Sequence, residues 1–242
     1  MSLAILLILG FLCWFLSSVA AGGGAILFLP TALWVLEPKQ LPVVIAIASA
    51  ISSVQRVALY RGAIHRNIWL ANLPGLALGA LVGALLLRGI AAKGLGYLVG
   101  GFLVVLSVHH FLGGSLRFAR PRPVAFGAAS FVTATTSTLV GASGPLMNPL
   151  YVGSGVVKEA MIGTKAASTL FMQFAKLAAF FSFGLLSNET WIAGCAVGVG
   201  ALAGNLLGKR ALRALDARRF VHFVYAALLV SGGSILWRTA TG

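Results

Sequence analysis

The 242-residue chain is 59% hydrophobic and only 9% charged, with a mean hydropathy of +0.98. That balance excludes a soluble domain, which needs far more polar surface. The net charge of +14 would suit a nucleic-acid binder, but the basic residues cluster between apolar stretches, as in "RFARPRP" at 117–123 and "KRALRALDARR" at 209–219. Headgroup contact and membrane topology account for such clusters, and no nucleic-acid partner is expected.

Taken in chain order, apolar windows long enough to cross a bilayer, roughly 20 residues each, fall near 3–20, 41–60, 68–88, 95–112, 124–141, 160–183, 190–208 and 220–238. Alternating segments of about ten residues, the mark of a membrane barrel, are not found. The expectation is an all-α polytopic membrane protein of about eight transmembrane helices. The first window, "MSLAILLILGFLCWFL", lacks a basic leader and reads as a retained span. Cys13 and Cys195 each lie within a window, so free thiols are expected rather than a disulfide framework.

Two short motifs break the pattern. "GGGAILFLP" (22–30) and "GASGPLMNP" (141–149) each set a proline eight positions after a glycine, 119 residues apart. The same shift brings Lys39 onto Lys158 and Ser49 onto Ser168. A drift of one brings Arg56 onto Lys176, and one more brings "GALVGALLLR" (79–88) onto "GALAGNLLGK" (200–209). The chain therefore reads as two similar four-span halves, 1–116 and 124–242, joined by the basic linker 117–123. Four spans per half put the halves in the same orientation, related by an axis along the membrane normal. Fully crossing motifs would give five spans and an inverted repeat, but a dozen helical residues at about 1.5 Å each fall short of a core about 30 Å thick. Re-entry is the expectation. With eight crossings, the loops near 61–67 and 113–123 share a side with both termini, and those near 88–94 and 209–219 lie opposite. The balance of Lys and Arg leans toward both termini outside.

Irregular backbone at membrane depth is tolerated where it is buried in protein or lines a polar cavity. Glycine permits unusual φ and close approach, and proline stops a helix. Breaks at matching places in two halves point to a midplane binding site, and new helix N-termini favour an anion. Close helix packing is the competing reading; "GALVGALLL" and "GALAGNLLG" are assigned to it.

Polar residues within the windows add a second signal. Ser49, Ser52, Ser53 and Arg56 share one helical face, with Gln55 adjoining; Lys165, Ser168, Thr169, Met172 and Lys176 share another, with Gln173 beside them. A charge at the centre of a lone helix costs about 2.5–3.5 kcal/mol on insertion scales, so such groups face an interior unless they snorkel to headgroups. Snorkelling stays open for Arg56 and Lys176, as does a place at the helix start for Lys165. The run "TATTST" at 133–138 divides between packing and lining a cavity. The only acids are Glu37, Glu159, Glu189 and Asp216, all placed in loops or at span ends. Cations without a buried carboxylate suit an anionic substrate that supplies the counter-charge. No metal site or cofactor is expected, and His109 and His110 sit near a span end.

"AGGGAILFLPTALWV" and "GASGPLMNPLYVGSGVVKEAMIGTKAAS" resemble the paired signature of the sulfite exporter TauE/SafE family, as does "YRGAIHRN" (60–67) the family's basic loop. The resemblance covers nearly the whole chain. Ser143 stands where a glycine is common, and Phe181 and Phe183 where the first half has a basic loop. The resemblance implies export of sulfite, small organosulfonates or related anions across a bacterial cytoplasmic membrane.

The leading expectation is a secondary carrier working by alternating access between the halves. Gly22, Gly23, Gly24, Gly141, Ser143, Gly144 and Asn148, in segments broken at Pro30 and Pro149, would supply amide donors. Arg56, Lys176 and Lys165 would neutralise charge, and Gln55, Ser168, Thr169 and Gln173 would orient oxygens. The partners are a small anion and the bilayer, with a homodimer left open. A membrane enzyme would need a nucleophile or metal constellation that the chain lacks. An assembly protein without transport and an anion channel are the competing functions.

Overall fold

Long apolar runs with no internal acid coil into helices, and every regular element among the described residues is helical. The computed structural model describes residues 3–19, 24–32, 35–113, 121–142, 147–211 and 217–241. Ten α-helices lie among them: α1 (Leu3–Val19), α2 (Gly24–Ala32), α3 (Leu41–Tyr60), α4 (Arg66–Gly89), α5 (Ala92–Phe111), α6 (Pro123–Val140), α7 (Asn148–Gly153), α8 (Lys158–Ser182), α9 (Asn188–Ala211) and α10 (Ala217–Thr241). The eight long helices coincide with the eight windows. By length and composition alone, five are long and apolar enough to cross a membrane: α3 with the 3-10 turn that extends it to Ala63, then α4, α5, α6 and α9 up to Gly208. The outer faces carry Leu78, Leu85, Val105 and Val230, all exposed, as a lipid solvent requires.

Glycine spacing decides which helices touch. A methyl group on Gly75 would overlap the carbonyl of Gly127, and one on Gly79 the carbonyl of Phe131, so α4 lies directly against α6. Gly200 and Gly204 meet the carbonyls of Leu7 and Phe11 in the same way, fixing α9 on α1. Glycine at every fourth position lets two backbones approach this closely. The expected match of 79–88 to 200–209 is one turn out of register. Gly75 and Gly79 make the contacts that Gly200 and Gly204 make.

These contacts also give helix directions. Along α9, Gly200 and Gly204 meet Leu7 and Phe11 of α1, while Gly194 and Gly198 meet Ile47 and Ile51 of α3. All three helices therefore run the same way. Along α4, Gly75 and Gly83 meet Gly127 and Thr138 of α6, and His65, just before α4, and Asn72 meet Thr164 and Ser168 of α8, so these three are parallel too. The two sets are opposed, because the end of α3 at Tyr60 meets Gly163 near the start of α8, while its start at Ile45 meets Gly141 beyond the end of α6. Helices α5 and α10 pack antiparallel, with Gly96 against Thr239 and the His110 ring stacked on Tyr225 at 3.8 Å.

Four crossings with a re-entrant motif would set α1 antiparallel to α3. Instead they are parallel, as are α6 and α8, so the chain has to return across the bundle between the members of each pair. The short helices cover only part of the way: nine residues of α2 amount to about 14 Å, roughly half a hydrocarbon core. Re-entry does not give these helix directions, whereas a crossing made of broken helix does, and that is tolerated when protein surrounds it. The loop at 61–65 and Arg122, just before α6, then lie on the face where α9 ends. That face holds Arg61, Arg66 and Arg122; the other holds Lys39, Arg88, Lys93 and Arg238. In a background with Cys13→Ala and Cys195→Ala, an impermeant thiol reagent should label Gly62→Cys and Asn188→Cys from opposite sides of the membrane. Eight crossings would put both on one side.

Candidate functional site

Three cations lie inside the bundle, and each meets a neutral oxygen. Lys176, on α8, has no exposed surface. Its ammonium donates to the backbone carbonyl of Ser137 at 2.9 Å and to the Ser137 hydroxyl at 3.2 Å. The geometry follows from how α6 ends. Gly141 takes a left-handed φ of 92° and donates its N–H to the same carbonyl. Such a conformation favours glycine because it has no Cβ. The end of a helix carries partial negative charge, so the carbonyls of this last turn are the strongest neutral acceptors for an ammonium. A side chain at Gly141 would also strike Ile45, near the start of α3.

Toward the other end of α8, the Lys165 ammonium donates to the side-chain carbonyl of Asn148 at 2.9 Å, tying α8 to α7. Arg56, on α3, donates to the side-chain carbonyl of Asn205 on α9 at 3.1 Å. The guanidinium thus turns into the bundle, and the snorkelling reading does not describe it. The ends of the two helices abut, since a methyl on Gly163 would lie 2.8 Å from the Tyr60 carbonyl. Arg56, one turn before Tyr60, is within electrostatic reach of Lys165. Along α8, Lys165 and Lys176 are separated by roughly 16 Å at 1.5 Å per residue. The fold therefore makes two cationic places, one doubly charged. The described acids, Glu37, Glu159 and Glu189, are all exposed.

The other expected residues divide. Ser168 is buried and accepts a hydrogen bond from Asn72 at 3.2 Å. Gln173 and Gln55 each bury a carboxamide oxygen with no partner among the described residues. Thr169 is half-buried. Gly24 packs against the Trp14 ring, leaving no room for a side chain; Pro30 lies inside α2, and Pro149 in the first turn of α7, where its missing N–H removes no helix bond. Gly22, Gly23, Ser143 and Gly144 lie outside the described residues. Among the stripe hydroxyls, Ser52 accepts the Trp14 indole N–H at 2.9 Å and so serves the packing of α3 on α1. In the 133–138 run, Thr138 bonds back to Ala134 and Thr135 to Gly79, leaving Ser137 as the hydroxyl that meets a cation.

Sequence reasoning missed a polar knot. Asn72 of α4 donates to the Tyr151 phenol oxygen and the Ser168 hydroxyl, both at 3.2 Å, and accepts from the Ser130 hydroxyl at 2.8 Å. All four residues are buried. The knot joins α4, α6, α7 and α8, and with Asn148–Lys165 it fastens α7 at two points. Asn72 and Asn205 were findable, since an asparagine within an apolar span is costly unless bonded.

An all-helical chain with an apolar outer surface and cations turned inward is a multi-pass membrane protein with the character of an anion transporter. It belongs to the sulfite exporter TauE/SafE family, whose model matches residues 6–235. No curated protein and no solved structure matches the chain.

Replacing Asn72 by leucine should strand three buried hydroxyls and lower stability by about 1–3 kcal/mol, read as a lower thermal midpoint in detergent. An unchanged midpoint would show that the knot is not structural.

Proposed function

We propose that this protein is a secondary carrier that exports sulfite or a small organosulfonate across a bacterial cytoplasmic membrane by alternating access. The observation that carries the reading is the set of inward cations held only by neutral oxygens. A desolvated cation with such partners is poorly compensated, and an anion entering the bundle supplies the missing charge. Lys165 and Arg56 form the doubly charged place and Lys176 the second. Asn148, Gln55, Gln173 and Thr169 orient the oxygens, the carboxamides presenting N–H when turned by half a rotation. Gly22, Gly23, Gly24, Gly141, Ser143 and Gly144, in the segments with Pro30 and Pro149, would supply amide donors, and Ser168 acts by holding Asn72.

The same reading takes residues 1–116 and 124–242 as two halves joined by 117–123, each of five passes and mutually inverted. Reciprocal packing supports it: α1 lies on α9 as α6 lies on α4, and α3 lies on α9 as α8 lies on α4. Inverted halves give the two end states of alternating access by exchanging their conformations. The positive-inside rule then sets the face bearing Arg61, Arg66 and Arg122 in the cytoplasm and both termini outside. Arg56 and Lys165 lie nearer the cytoplasm, and Lys176 nearer the exterior.

Purified protein in liposomes should move sulfite or a sulfonate, with saturation. Arg56→Gln and Lys176→Gln should each lower flux by at least about tenfold, the scale of one lost charged hydrogen bond, while keeping yield and monodispersity. Normal flux in both variants would refute the cation assignment. Absence of flux in the wild type, across sulfite, sulfoacetate and taurine, would favour an assembly protein.

A further inference from the structure

A groove of about 600 Å³ lies outside the cation sites, where the end of α3 and the start of α4 meet the middle of α8. Its volume falls within the usual range of small-molecule sites, about 300–1,000 Å³. Leu70, Phe171 and Phe174 wall it, and Leu70 and Phe174 are more than half exposed toward the lipid side. Arg61 and Arg66 stand at its rim, both exposed and without a hydrogen-bond partner among the described residues. Trp69 also lines it, and its buried indole N–H has no acceptor among the described residues.

The chemistry selects one occupant. Apolar walls below a cationic rim match a molecule with an anionic head and an apolar tail. A second copy of this chain is disfavoured, because its loops on this face are also basic and would set like charges together. Tryptophan and arginine at the ends of membrane helices sit at headgroup depth, and a juxtamembrane cluster of basic residues attracts anionic lipid.

We propose that the groove binds an anionic phospholipid, with its phosphodiester between Arg61 and Arg66, the Trp69 ring against its glycerol region, and one acyl chain along Leu70, Phe171 and Phe174. The lipid bridges α3, α4 and α8 at the end of the bundle that holds Arg56 and Lys165. The site stands whether or not the protein transports sulfite.

The test places the full chain in nanodiscs of equal phosphatidylglycerol and phosphatidylcholine, releases it into detergent, and counts retained lipids by native mass spectrometry. The wild type should retain phosphatidylglycerol over phosphatidylcholine by about tenfold, and the Arg61→Gln/Arg66→Gln variant should lose that preference while keeping its melting temperature. Millimolar inorganic phosphate should not displace the lipid. Phosphatidylglycerol with brominated chains should quench an emission component that is missing in Trp69→Phe. Equal retention of the two lipids by the wild type, an unchanged preference in the double variant, displacement by free phosphate, or equal quenching of wild type and Trp69→Phe would each overturn the proposal.

Discussion

A positive charge in a hydrocarbon core about 30 Å thick is stable there only if the protein replaces the water it has lost. Lys176 is the plainest case, because none of its surface is exposed and both its partners are oxygens of Ser137. Everything near it serves that arrangement. Gly141 ends α6 so that its final carbonyls gather beside the ammonium, and the glycine seam of α4 against α6 holds that helix in place. Neutral oxygens solvate a cation but do not cancel its charge. That residual imbalance is what an anion would relieve, and it would make a site there selective by sign before any question of size arises.

The break in each crossing is the second half of the same logic. A continuous helix satisfies its own backbone and leaves nothing for a ligand. Short helices such as α2 and α7 expose ends, and they need protein on all sides to survive at that depth. Tyr151 and Asn148 hold α7 to α4 and α8, while Trp14 packs against Gly24 and Phe28 of α2. One lysine is part of this fastening, so an anion that draws Lys165 from Asn148 would loosen α7. On the proposed reading, binding and movement would be linked through that contact.

Much of this was legible in the chain itself. The windows located the long helices because composition alone separates lipid-facing stretches from basic loops, and the inward cations stood out against an almost acid-free background. The number of crossings was not legible. A nine-residue helix is too short by length, and only the contacts of Gly194, Gly198, Gly200 and Gly204 show that α1 and α3 run the same way. The glycine repeat was misplaced by one turn for a related reason: a four-residue period aligns with itself after every turn, and only the partner helix fixes the register. The knot at Asn72 escaped because its members are far apart in sequence, and Ser130 and Tyr151 are unremarkable alone. Whether a hydroxyl serves packing or a cation, as Ser52 and Ser137 differ, depends on which helix lies opposite.

Selenite shares the shape and charge of sulfite and carries an anomalous scatterer, so diffraction from crystals soaked in it would locate the anion directly. The account predicts a selenium peak within hydrogen-bonding distance of the Lys176 ammonium or between Arg56 and Lys165. Selenium found only at the exposed basic loops, with both interior places dry and unchanged, would contradict it.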